Sequence, residues 1–175
     1  YAVNSGVASY DLKHDFKTLE SGGMEGTLVL SGGKDTWGPN IETLKVEMLY
    51  ETEDTFRIRV TDPNNERYEV PQSMVERKSI RSRLDAHNVN YEVSYTKSPF
   101  TFDVKRKSDG VSLFNMDSSI IFKDQYLELS TTLATDSKIY GLGESTRFEQ
   151  AMQPGNTFTL WAADIPAASF YKNLY

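Results

Sequence analysis

Apolar residues recurring at every second position constrain this chain more than any other feature. Leu44, Val46, Met48 and Tyr50 interleave with Lys45, Glu47 and Leu49, and Phe56, Ile58 and Val60 alternate with Arg57, Arg59 and Thr61. A strand turns successive side chains to opposite faces, so this period places one face in a core and the other toward water. Glu51-Thr52-Glu53-Asp54 lies between the two runs, which predicts an antiparallel hairpin with a polar loop. Asp62-Pro63-Asn64-Asn65 is a strong turn sequence that ends the second strand. Tyr68 and Val70 then precede Pro71, which predicts a sheet edge or exit, because proline cannot donate to a ladder.

A second strand-rich block follows. Tyr91, Val93 and Tyr95 alternate, Lys97-Ser98-Pro99 interrupts, and Phe100, Phe102 and Val104 alternate again. Ser108-Asp109-Gly110 is a hairpin turn leading into Val111-Ser112-Leu113-Phe114. Ile120-Ile121-Phe122 and Tyr126-Leu127-Glu128-Leu129 form one more hairpin about Lys123-Asp124-Gln125, and Gly26-Thr27-Leu28-Val29-Leu30 is a short strand between Ser-Gly-Gly turns. A helical stripe is visible only weakly, around Ser73 to Leu84. Many short strands with regular turn punctuation predict an all-β fold, a two-sheet antiparallel β-sandwich. The 175 residues suffice for one domain with a sizeable core, so 1–175 is expected to be a single domain.

Composition removes several function classes. The formal charge of −6 disfavours nucleic acid, which needs a basic face to displace counterions from phosphate. The basic cluster Arg77-Lys78-Ser79-Ile80-Arg81-Ser82-Arg83 has no interleaved aromatic to stack on bases and reads as a solvated loop. No cysteine is present, so disulfides and thiolate metal sites cannot form. No run approaches the length of a transmembrane helix, and no membrane partner is expected. His14 and His87 lie in polar contexts without metal-ligand or triad spacing, so no metal and no cofactor is expected.

The chemistry concentrates in the last third. Tyr140-Gly141-Leu142-Gly143-Glu144 places two glycines about one apolar residue after a strand-like run. A dinucleotide fingerprint would need a third glycine where Thr146 stands and a following helix, which Pro154-Gly155 discourages. A strand that bends where glycine lets another backbone approach is the simpler account. Further on, Phe158-Thr159-Leu160-Trp161-Ala162-Ala163-Asp164 sets a carboxylate behind a tryptophan, and Asn173-Leu174-Tyr175 closes the chain. On composition alone, Asp164 before Ile165-Pro166 is a turn residue.

This order resembles the N-terminal β-sandwich domain of family 31 glycoside hydrolases, the retaining α-glucosidases of maltase type and their relatives. Thr61-Asp62-Pro63-Asn64-Asn65-Glu66-Arg67-Tyr68-Glu69-Val70-Pro71 is similar to the family's strand, turn and Tyr-containing edge strand ending in proline. Ser98-Pro99-Phe100-Thr101-Phe102 and the hairpin through Leu113-Phe114 add to the likeness. The resemblance implies a galactose mutarotase-like sandwich normally packed on a (β/α)8 catalytic barrel that this chain does not contain. It implies that the 140–175 segment leads into the active-site loop, with Glu144 supporting that loop. It also implies that Asp164 is a substrate-binding residue accepting hydrogen bonds from hydroxyls of the +1 sugar, and not a nucleophile. Trp161 and Phe170 would be apolar wall or core. The family's Trp-x-Asp-Met nucleophile motif is absent, so no catalytic residue is expected here.

The implied activity is release of glucose from non-reducing ends of maltose and malto- or isomalto-oligosaccharides, with transglucosylation when a sugar replaces water. The implied partners are an α-glucoside and a catalytic barrel, either a separate chain or the remainder of the same precursor. Self-association stays open, and the implied location is secreted, extracellular or vacuolar. The end at Tyr175 fits a boundary or a processed subunit; the apolar face a lone sandwich would expose favours the subunit. Two rivals remain. A non-catalytic carbohydrate-binding sandwich would show a row of exposed aromatics, whereas these fall at alternating, core-like positions. A mutarotase-type epimerase would need a His and a Glu on inward strands.

Overall fold

A computed structural model of the chain describes residues 8–20, 22–33, 38–75, 86–116, 120–134, 136–141, 151–153 and 155–158. It divides into two compact units, Tyr1–Thr132 and Leu133–Tyr175. Among the described residues there is no helix, and every strand belongs to the first unit. The strands are β1 (Ser9–Leu12), β2 (Lys17–Thr18), β3 (Met24–Gly32), β4 (Thr43–Thr52), β5 (Thr55–Thr61), β6 (Tyr91–Lys97), β7 (Phe100–Arg106), β8 (Ser112–Met116), β9 (Ile121–Phe122) and β10 (Leu127–Glu128).

One sheet runs β1-β3-β4-β5 with β2 added beside β3; the other runs β6-β7-β8, and β9 and β10 form a small ribbon. Every pairing is antiparallel. The period-two pattern does what it predicts. Leu44, Val46, Met48 and Tyr50 of β4 are buried, while Lys45, Glu47 and Leu49 between them are partly exposed. Facing them from the second sheet are Tyr91, Phe100, Phe102, Val104 and Met116, all in one apolar cluster with Tyr10, Leu12 and Leu28. Two sheets closing on one shared core make a sandwich. One aromatic pair crosses that core, Tyr50 stacking on Tyr91 at 6.1 Å, and Phe102 stacks on Phe114 within the second sheet at 5.7 Å.

The turns explain the register. The β4–β5 connection is tighter than the four-residue loop expected: Thr52 pairs with Thr55, leaving Glu53-Asp54 at the tip. That tip is tied to the start of the second sheet, because Asn90 donates its backbone N–H to Glu53 O (2.8 Å) and its side-chain amide to Asp54 (2.8 Å). Lys97 pairs with Phe100 across a cis Ser98–Pro99 bond, so the expected interruption is a two-residue hairpin turn. Asp109 fixes the next turn by accepting from Val111 N–H and from Arg106, which together hold its carboxyl below the usual range. At Gly23 the backbone φ is +118°, and a Cβ would stand 2.5 Å from Met48 O, so only glycine fits there.

Two features depart from the sequence expectation. The segment through Tyr68 and Val70 makes no ladder; it is an irregular arm whose Tyr68 is 84% exposed. Lys123, expected in a turn, is 2% exposed. Its ammonium donates to Gly38 O (2.6 Å) and Asn40 Oδ1 (2.8 Å), which satisfies the buried charge with oriented dipoles. The weak helical stripe is described only as far as Val75, where Met74 and Val75 donate to Pro71 O in a turn; the basic cluster lies outside the described residues.

Tyr10 of β1, buried in the core, donates its hydroxyl to Ile41 O at 2.7 Å. Burial pushes its pKa up to about 12, and burial followed by Tyr50, Glu51 and Asp54 pushes Tyr91 up to about 12. A tyrosine is neutral when protonated, so the folded state keeps protons that the unfolded chain releases above pH ~10. The stabilisation is therefore complete below about pH 10 and is lost as pH rises toward about 12. Urea midpoints are expected to fall across that window, and Tyr10→Phe to flatten part of the fall while costing about 0.5–1.5 kcal/mol at neutral pH. A variant with the unaltered alkaline slope would place the proton linkage elsewhere.

Candidate functional site

The second unit holds the segment that the sequence nominates. Ser137 donates to Ala134 O (2.9 Å), and Met152 donates to Ile139 O (2.9 Å), which brings residues 139 and 152 side by side. Tyr140, next to this contact, is exposed, and Gly141 takes φ +80° with open space where a Cβ would stand. That glycine serves backbone conformation, since nothing crowds it. Asn156 then donates to Gln153 O at 3.1 Å across Gly155, whose φ of 82° is the geometry a glycine supplies in a turn. Leu142, Gly143, Glu144, Trp161, Asp164 and Phe170 lie outside the described residues.

In the first unit, a groove of about 840 Å³ lies between β4–β5 and the 62–69 arm. Its charged side chains come from strand register. Glu25 stands opposite Glu47, and Glu47 opposite Arg59, on the outward face of the first sheet. Like charges directly opposite repel. Lys45 relieves them by reaching Glu25 at 2.7 Å and Glu47 at 3.0 Å, and these contacts, Glu25 foremost, raise its pKa. Arg59 pairs with Glu69 on the arm and approaches Glu47 at 4.0 Å. Asp62 accepts from Asn65 Nδ2 (2.9 Å) and Asn64 N–H (2.8 Å), and these bonds hold its carboxyl below the usual range.

This groove is organised for holding the arm. Its carboxylates Glu47, Asp62 and Glu69 are engaged by Lys45, by Asn64 and Asn65, and by Arg59, a structural arrangement rather than the pair of acid and base carboxyls that glycoside hydrolysis needs. The sequence reading had no signal for it, because the ladder depends on cross-strand register. Among the described residues no cluster of three His, Cys, Asp or Glu could hold a metal ion. His14 and His87 are exposed and lie outside the strands.

Comparison with known proteins gives the same architecture a lineage. The glycosyl hydrolase 31 N-terminal galactose mutarotase-like domain matches residues 43–173. The chain belongs to this family. It is 36% identical to an alpha-glucosidase of Mucor javanicus over 183 residues, covering 100% of this chain and 21% of that protein. Alpha-xylosidase 1 of Arabidopsis thaliana is 35% identical over 169 residues, covering 88% of this chain and 18% of that protein. An alpha-glucosidase of Hordeum vulgare is 33% identical over 172 residues, covering 87% and 20%. The chain spans about a fifth of the length of these curated relatives.

Proposed function

We propose that this chain is the N-terminal sandwich of a retaining α-glucosidase that releases glucose from non-reducing ends of maltose and malto- or isomalto-oligosaccharides. The observation that carries this reading is the match to the Mucor javanicus alpha-glucosidase along the whole of this chain. The covalent chemistry belongs to a (β/α)8 barrel housed in the rest of the precursor or in a processed partner chain. There, one carboxylate attacks the anomeric carbon, and a second protonates the leaving oxygen and then activates water. Sugar acceptors in place of water give transglucosylation.

The 140–175 segment carries this chain's share of the site. Asp164 accepts hydrogen bonds from vicinal hydroxyls of the +1 sugar, and an ionised acceptor makes such bonds stronger than neutral ones. Glu144 supports the loop. Residues 1–175 act as one wall-forming domain in a secreted or vacuolar enzyme. A second reading, an α-xylosidase, is favoured by the Arabidopsis thaliana relative, at 35% identity.

The complete protein is expected to hydrolyse 4-nitrophenyl α-glucoside faster than the α-xyloside. Proton NMR of the first product should show the α-anomer, the signature of retention. Faster turnover of the xyloside would favour the second reading, and β-anomer as first product would remove the retaining mechanism.

A further inference from the structure

Asp109-Gly110, at the exposed tip between β7 and β8, is the one Asp-Gly step in the chain. Such a step can rearrange covalently, because a glycine carries no side chain to keep its backbone nitrogen away from the aspartyl Cγ. The Gly110 nitrogen attacks Cγ of the protonated carboxyl, an N–Cγ bond forms, and one carboxyl oxygen leaves as water, closing a five-membered succinimide. Water then opens the ring. Attack at Cγ restores aspartate. Attack at the main-chain carbonyl leaves isoaspartate, with the backbone rerouted through Cβ and Cγ and no net change in mass. No Cβ neighbour crowds Gly110, whose φ is +70°.

The folded turn occupies the groups that would react. Gly110 donates its N–H to Arg106 O at 2.8 Å. One oxygen of Asp109 accepts from Val111 N–H at 3.1 Å, and the other from the Arg106 guanidinium at 2.6 Å. These bonds, that of Val111 foremost, favour the ionised carboxyl, which is the poorer electrophile because water cannot leave from it. The frame around the tip is also tied down. Arg106 N–H donates to Val111 O and Lys107 N–H to Asn90 O, both at 2.9 Å, while the Lys107 ammonium donates to Ala86 O and Val89 O at 2.7 Å each. The Lys107 contacts bind the tip to the chain ahead of β6, outside its own hairpin.

We propose that Asp109-Gly110 is a guarded isoaspartate modification site, held closed by the turn with Arg106 as its guard, and modified only when the tip opens. Hairpin tips open locally far more often than a whole domain unfolds. Isoaspartate adds a methylene to the main chain and moves the carboxyl, so a modified turn cannot remake the Val111 and Arg106 contacts together. The modification is therefore a covalent record of opening.

The complete protein and a free peptide of residues 104–114 are aged side by side at neutral pH, then mapped with an Asp-specific endoprotease, which leaves isoaspartyl bonds uncut. Isoaspartate at 109 is expected to accumulate several-fold more slowly in the folded protein than in the peptide, and at the peptide's rate in denaturing urea. Arg106→Ala should raise the folded rate several-fold, whereas Arg106→Lys, which keeps a cation beside the carboxylate, should stay near the original rate. Equal rates in folded protein and peptide overturn the proposal, as does a protein that stays slow in urea. An unaltered rate in Arg106→Ala, or an equally fast Arg106→Lys, removes Arg106 as the guard.

Discussion

Asp164→Ala in the complete enzyme is expected to lower kcat/KM for maltose by about 30- to 150-fold, the loss of about 2–3 kcal/mol for a hydrogen bond to a charged group. The deficit should depend on the leaving group. A disaccharide places a sugar with vicinal hydroxyls in the +1 position, where Asp164 would accept from them, whereas an aryl glucoside offers no such donors. The ratio of maltose to aryl-glucoside turnover should therefore collapse, while Asp164→Asn keeps the shape and part of the hydrogen bonding. Equal losses on both substrates would point to a damaged fold, and unchanged kcat/KM on maltose would take Asp164 out of the site.

Phe102→Ala carries the second large effect, a destabilisation of about 3–5 kcal/mol. Phe102 is 5% exposed, faces the core from β7 and stacks on Phe114 of β8. Truncation loses the transfer energy of the ring and leaves a cavity between two sheets that cannot close on it fully. Against a domain stability of about 5–15 kcal/mol, that loss removes a large share. Leu113→Ala on β8, where the side chain is 50% exposed, should change stability by less than about 0.5 kcal/mol. Comparable urea midpoints for the two variants would contradict a core placed between the sheets.

The hairpins were legible because pattern and turn chemistry agree in them. Leu44 to Val60 and Tyr91 to Val104 alternate cleanly, and Ser98-Pro99 and Ser108-Asp109-Gly110 stand where the chain reverses. β1 and β2 were not read, since four and two residues are too few for a period to stand out. The signal present was Ala8, Tyr10 and Leu12, all buried. The arm carries a strand-like pattern at Tyr68 and Val70, yet the Glu69–Arg59 ion pair and the Arg67 hydrogen bond to Lys123 O, which follow from tertiary register, leave Tyr68 and Val70 exposed. Lys123 reads as a turn lysine, and only the approach of Gly38 and Asn40 from distant sequence makes its burial tolerable. Asp164 differs in kind. Nothing in its local sequence separates it from a turn aspartate, and its proposed role comes from family resemblance, with its position outside the described residues.

The chain is read as a folded wall that supplies substrate contact while the bond-breaking carboxylates sit elsewhere. Steady-state turnover of 4-nitrophenyl α-glucoside and maltose by residues 1–175 alone, set beside the complete protein at equal molarity, bears on that most directly. Turnover by the complete protein and none above background by residues 1–175 is the expected result; sustained glucose release by the 1–175 chain would overturn the division of labour.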